Sequence, residues 1–383
     1  MAAVDIPESQ ATVTVKIVDN GSRITGPMSF FMEPPLLDDL QSRQKIFAPA
    51  FVFLVEHEDE RAGKTRRVVF DLGIRKNPAE YPPAVLAYHE AFEMVPGDKE
   101  VFDVLRSGGV DLDTVEAVIW SHHHMDHTGN PSGFPPATDL VVGPGFRETL
   151  LPAYPEREDA MIGQRDLRGR ALRQLDFGED SGGLLIGGYR AIDYFGDGSF
   201  YLLEAPGHSI DHIMGLARTG ASPSRFILMG ADIGTHAAQW RPSPHVPLPA
   251  ELAPSPLGPA SALNVRFDVC PGHLFADHVH PSSSSSTTSS SGSGETKNSP
   301  FARIRPGHPH DVVRAQRSLD MMMPFDADES IFVVAAHDFT LLPVVECFPE
   351  VANGWFEKGW KDKGRWAFLE GFAGIVEGKA SLR

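Results

Sequence analysis

Short runs of apolar, β-branched and aromatic residues, each closed by a turn bearing Gly, His or Asp, recur along this chain. They are Val68–Phe70 before Asp71-Leu72-Gly73, Val115–Trp120 before Ser121-His122, and Phe200–Leu203 before Gly207-His208. Phe226–Met229 before Gly230-Ala231-Asp232 and Ile331–Val334 before His337-Asp338 complete the series. Runs of that length and composition predict strands. Phe51–Glu56 and Arg67–Phe70, around the charged turn Asp59-Glu60-Arg61-Ala62-Gly63, predict a hairpin. Helices are predicted over Lys99–Arg106, with Asp98 as N-cap and Gly108-Gly109 as the stop, and over Asp311–Met322. Strands come clustered as well as alternating with helices, so sheets packed on each other with helices outside fit better than a doubly wound sheet.

Composition adds scale. A chain of 383 residues, 42% hydrophobic and 22% charged, can bury a substantial core. The pattern breaks sharply once, at the Ser-rich stretch Pro281–Ser299, which has almost nothing apolar to bury and predicts a flexible insertion within a single domain spanning 1–383. A formal net charge of -17 disfavours nucleic acid as partner and favours a small-molecule substrate. No run is long enough to cross a membrane, and the N-terminus lacks the basic start and apolar stretch of a secretory signal. With two cysteines, Cys270 and Cys347, and no disulfide framework, the expected compartment is the cytoplasm.

Sixteen histidines change the picture more than the cysteines do. Those at 278, 280, 308 and 310 lie around the Ser-rich stretch and are expected in solvent. After Val115–Trp120, however, the chain reads Ser121-His122-His123-His124-Met125-Asp126-His127-Thr128-Gly129-Asn130, which places four potential metal ligands within six residues. Residues two apart in extended chain point the same way, so His122 and His124 can converge on one ion. Asp126 and His127, beyond a turn, can serve a neighbouring ion, and nitrogen and oxygen donors suit zinc.

The pattern His122-x-His124-x-Asp126-His127 resembles the signature of the metallo-β-lactamase superfamily, whose further motifs follow in order over nearly the whole chain. That resemblance implies an α/β fold, the αββα sandwich of two mixed sheets with helices outside. It implies that His208, in Pro206-Gly207-His208, joins His122 and His124 on a first metal, that Asp232 bridges two metals, and that His337 joins Asp126 and His127 on the second. Asp71 would be a structural support of the metal loop rather than a ligand. The implied cofactors are two zinc ions, or other divalent metals.

Two such ions about 3.5 to 4 Å apart share a water and acidify it, yielding a hydroxide that attacks an acyl bond, with Asp126 orienting it and carrying a proton. Within the family the segment Ser121–Asn130 resembles quorum-signal lactonases, but Thr235 stands where those commonly carry a tyrosine. His236, next to it, is the residue expected to hydrogen-bond or protonate the ring heteroatom in the tyrosine's place. Trp240-Arg241-Pro242-Ser243 resembles fungal members, some of which open lactones, lactams or cyclic carbamates. The expected function is therefore hydrolysis of a cyclic acyl bond. A metal-dependent thioesterase shares the same site, and an iron-dependent oxidoreductase is the alternative from another class. Gly26–Leu37, with Phe30 and Phe31, is either a substrate wall or core, and Trp355, Phe356, Trp360, Trp366, Phe368 and Phe372 are expected to pack the last helices onto the body.

Overall fold

The computed structural model describes residues 3–27, 31–33, 45–59, 62–91, 93–178, 183–257, 261, 263–264, 269–279, 296–307 and 309–380. Twelve strands form two sheets in which chain order is also spatial order. The first sheet contains β1 (Thr14–Val18), β2 (Val52–Asp59), β3 (Lys64–Phe70), β4 (Val115–Ile119), β5 (Asp139–Val142) and β6 (Leu172–Gln174). It runs antiparallel through β3 and parallel from β3 to β6. The second contains β7 (Leu184–Ile186), β8 (Tyr189–Asp193), β9 (Phe200–Glu204), β10 (Ile213–Ala221), β11 (Ser224–Ala231) and β12 (Ile331–Ala335). Its strands are antiparallel except for β12, which lies parallel to β11. Every strand expected from an apolar run is present.

Alternation along the strands builds three apolar layers. Phe53, Val55, Val68, Phe70, Ala117 and Ile119 of the first sheet meet Phe200, Leu202, Ile227, Met229, Phe332 and Val334 of the second in one core. The opposite face of the first sheet, with Leu54, Val69, Val118 and Leu140, packs against the helix Val101–Ser107. The outer face of the second, with Leu203, Leu216, Leu228 and Val333, packs against the helix Val312–Ala327. Two mixed sheets face to face with helices outside are the sandwich the resemblance implied. Trp355 and Trp360 close the inter-sheet core, and Phe368 and Phe372 pack onto the second sheet's helix side, but Phe356, expected to pack with them, is exposed, with the Arg225 guanidinium over its ring.

Local boundaries differ from expectation for identifiable reasons. The hairpin ladder extends to Asp59 and Lys64 because its polar ends pair sideways, Arg67 with Glu56, Thr65 with Glu58 and Arg66 with Glu116 on β4. The first expected helix starts later, at Val101, with Glu100 rather than Asp98 at the cap. In the second, Asp311 is the cap rather than the first helical residue, its carboxylate accepting from Val313 N and Arg314 N, and the helix runs on to Ala327 because Met323 and Phe325 keep burying apolar surface. The Ser-rich stretch lies outside the described residues as far as 295, and Thr296–Asn298 form a short 3-10 turn. Met28–Phe30, Pro34–Leu37, His280 and His308 also lie outside the described residues, whereas Phe31 and Met32 are core. Cys270 and Cys347 are unpaired. Among the described residues no helix is long and apolar enough to cross a membrane.

Candidate metal centre

Four strand ends and one turn converge at a single edge of the sandwich. β3 delivers Asp71, β4 delivers the loop from Ser121, β11 delivers Asp232, β12 delivers His337, and the connection from β9 to β10 delivers His208. The sheets are tied there by backbone bonds, Ile213 N to Ser121 O at 2.8 Å and Phe51 N to Ala336 O at 3.1 Å. Asp71 and Ala231 are the two described non-glycine residues with positive φ, 63° and 45°. Left-handed backbone at an L residue persists only where its surroundings enforce it. At Ala231 the β11–β12 register shifts, which turns Asp232 out of the ladder.

The side chains form two four-donor sets, His122, His124, His208 and Asp232, and Asp126, His127, Asp232 and His337. In the first, His124 Nδ1 lies 2.9 Å from His122 Nε2 and 3.0 Å from His208 Nε2, and Asp232 Oδ2 lies 3.2 Å from His208 Nε2 and 3.9 Å from His122 Nε2. In the second, Asp232 Oδ1 lies 3.1 Å from His127 Nε2 and 3.0 Å from His337 Nε2. Asp126 Oδ2 completes that set at 3.5 and 3.2 Å from the same two nitrogens. Four donors placed tetrahedrally at zinc bond lengths of about 2.0–2.1 Å stand roughly 3.3 Å from one another. The observed spacings bracket that value. His127 Nε2 and Asp232 Oδ1 are also buried without a hydrogen bond of proper geometry, as expected of atoms aimed at a shared third point. The residues therefore fit a pair of cations.

Electrostatics separates the sets. Burial, with neighbouring His127 and His124, holds His122 well below the usual histidine range, and burial takes His124 down to about 3, so both are neutral and present lone pairs. In the second set burial opposes charge, but Asp232, Asp71 and Asp126 outweigh it and raise His127 well above its ordinary value, while Asp232 and Asp126 push His337 up to about 10. The same histidines keep Asp126 and Asp232 ionised despite burial. This is a buried negative cluster that needs positive charge.

Outer partners orient the rings. Asp71 Oδ2 accepts from His127 Nδ1 at 2.8 Å and Oδ1 from Ser121 N at 2.7 Å. His337 Nδ1 donates to Pro49 O at 2.7 Å, which leaves Nε2 facing the carboxylates. His212, absent from the sequence reading, donates from Nδ1 to Ala205 O and accepts at Nε2 from Asp232 N at 3.1 Å. His123 pairs with buried Asp211 at 2.8 Å. The spacing Gly207-His208-Ser209-Ile210-Asp211-His212 was the available signal for these.

His236 is not in either donor set. It is buried among Phe339, Phe368 and Phe372, accepts at Nδ1 from Ala238 N, and has no partner at Nε2. Burial takes it down to about 3, which favours the neutral ring, and with Nδ1 accepting, its Nε2 N–H is the group left to donate a hydrogen bond.

The comparisons agree with this geometry. The family profile described as Metallo-beta-lactamase superfamily matches residues 47–218. The chain is 39% identical to Gamma-lactamase FDB1 of Fusarium pseudograminearum, over 97% of this chain and 85% of that one. It is 35% identical to Metallo-hydrolase mfmC of Annulohypoxylon moriforme, over 97% and 90%. A solved N-acyl homoserine lactone hydrolase with N-hexanoyl-L-homoserine at its catalytic metal centre matches over 89% of this chain and 99% of that one, with a TM-score of 0.52 and 14% identity, and so shows the fold alone. With its strand-end motifs assembled into two donor sets and full-length relatives of this kind, the chain belongs to the metallo-β-lactamase superfamily and is a metal-dependent hydrolase.

Proposed function

We propose that the protein is a dinuclear zinc hydrolase that opens a cyclic acyl bond, a lactam, lactone or cyclic carbamate, in a small molecule. The observation that carries the dinuclear part is the Asp232 carboxylate, with Oδ2 in the first donor set and Oδ1 in the second. The ring-opening part is supported by the near full-length similarity to a protein named as a γ-lactamase. His122, His124, His208 and Asp232 would hold one ion, and Asp126, His127, Asp232 and His337 the other. When bound, such ions supply Lewis acidity and acidify water. Asp126, held ionised, is the group that accepts a proton and returns it to the leaving nitrogen or oxygen. His236 enters as a neutral N–H donor beside the loop that follows Asp232. The reading takes 1–383 as one domain, and the free thiols of Cys270 and Cys347 support a reducing compartment.

The test pairs metal analysis of the purified protein with a panel of γ-lactams, cyclic carbamates, γ-lactones, β-lactams and acyl thioesters. The expected result is about two zinc ions per chain and ring opening that chelation abolishes and zinc restores. Turnover confined to thioesters would assign the thioesterase alternative. Bound iron with oxygen consumption would assign the redox one.

A further inference from the structure

Asp126 and His127 ride on a single helical turn, Met125–Thr128. So short a helix satisfies few of its own carbonyls, and its shape depends on donors from elsewhere. Leu72 N donates to His127 O at 2.8 Å and Trp120 Nε1 to Thr128 O at 3.0 Å. The carbonyls that bracket the two metal donors go to a different pair. The Tyr81 hydroxyl donates to Met125 O at 2.8 Å, and Arg75 directs Nε and Nη2 to Gly129 O at 2.9 and 2.8 Å.

Arg75 and Tyr81 act as one unit. Arg75 N donates to the Tyr81 oxygen at 2.8 Å, and the guanidinium lies 4.5 Å from the ring centroid. Asp166 Oδ1 receives Nη2 at 2.6 Å and Glu80 O receives Nη1 at 3.1 Å. Arg75 is 0% exposed, Asp166 3% and Tyr81 6%. Burying an ion pair is costly and seldom adds stability over apolar packing, so its presence against the metal loop calls for another role. The loop has little slack on its other side, since Gly129 has φ 43° and a Cβ there would lie 2.5 Å from Leu72. The first donor set is held differently. Its His208 sits in a turn gripped by the helix Val312–Ala327 and its cap, through Asp311 N to Gly207 O and Ser318 Oγ to Pro206 O.

We propose that Tyr81 and Arg75, backed by Asp166, are positioning residues that hold Asp126 and His127 on the second of the two cations. This rests on the dinuclear reading above. Tyr81→Phe keeps the ring and removes the hydroxyl, leaving Met125 O without its donor and Arg75 N without its acceptor. Zinc titrated into chelator-stripped full-length protein should bind wild type in two events. In Tyr81→Phe the first event is unchanged and the second weakens by about 10- to 100-fold, and a cobalt titration should show an altered absorption for the second event alone. A merely structural tyrosine would lower Tm without separating the two events. Both events unchanged, or both weakened equally, overturn the proposal. Should Arg75→Met fail to fold because Asp166 is left unpaired, Arg75→Met with Asp166→Leu removes both charges and should show the same loss at the second event. Two events in wild type with unaltered binding in Tyr81→Phe would sink the clamp alone. A single event in wild type would sink the dinuclear reading, and the clamp with it.

Discussion

The two donor sets share Asp232 yet are built on opposite electrostatic plans. The first has three imidazoles and one carboxylate, and its His122 and His124 are kept neutral by burial and by neighbouring histidines. The second has two imidazoles and two carboxylates, with Asp71 behind His127, and its histidines are raised by those carboxylates. Lone pairs stand ready in the first set. In the second, the carboxylates favour the protonated imidazoles of His127 and His337, and a cation bound there would have to displace those protons. The contrast teaches that one edge of a sandwich can offer two chemically distinct sites without any change of ligand type, simply by the number of carboxylates around each imidazole.

The largest effect should come from Asp232→Asn, which removes a negative oxygen from both sets. Activity is expected to fall by more than about 100-fold, beyond what the loss of an outer partner costs, with metal content dropping at both sites. Retention of two ions with near-normal turnover would break the bridging assignment. His337→Ala and His208→Ala sharpen the comparison, since each should cost one ion from its own set while the other set still titrates.

Asp71→Asn should be milder and one-sided. Its carboxylate touches His127 and Ser121 N, so second-site affinity should weaken by about 10- to 100-fold with the first nearly intact, as read by stepwise metal titration. Equal loss at both sites would show that the strut supports the whole loop.

The smallest effect on the metals, none in stoichiometry, is expected of His236→Phe, whose consequence is pH-dependent. The folded value of about 3 lies below the 6.5 of an unfolded histidine. Below pH 6.5 the unfolded chain takes a proton that the folded one refuses until about 3, so this group's contribution is intact above 6.5 and is lost as pH falls toward 3. At roughly 1.4 kcal/mol per pH unit, His236→Phe should lose less stability than wild type between neutral and acidic pH in urea denaturation. Parallel losses would place His236 in contact with solvent or substrate instead.

The strands and four of the metal-donor candidates, His122, His124, Asp126 and His127, were legible because both signals are local, whereas His208, Asp232 and His337 were implied by the family resemblance. An apolar run followed by His-x-His-x-Asp-His needs only neighbouring residues to be recognised. Helix ends were less legible, since capping by Asp311 is local but continuation to Ala327 depends on what Met323 and Phe325 bury.

By itself, then, the chain determined which strands form and that His122, His124, Asp126 and His127 can take a metal, because periodicity and short spacing act within a few residues, while the other donors followed from resemblance to a family. Only the tertiary structure decided that Asp232 divides its oxygens between two sets, that His212 and Asp71 orient their neighbours, and that Tyr81 and Arg75 grip Met125 and Gly129. It also enclosed His236 in phenylalanine rings and so made it harder to protonate. These outcomes depend on contacts between residues tens to hundreds of positions apart, where burial and neighbouring charge, not residue type, set what each group can do.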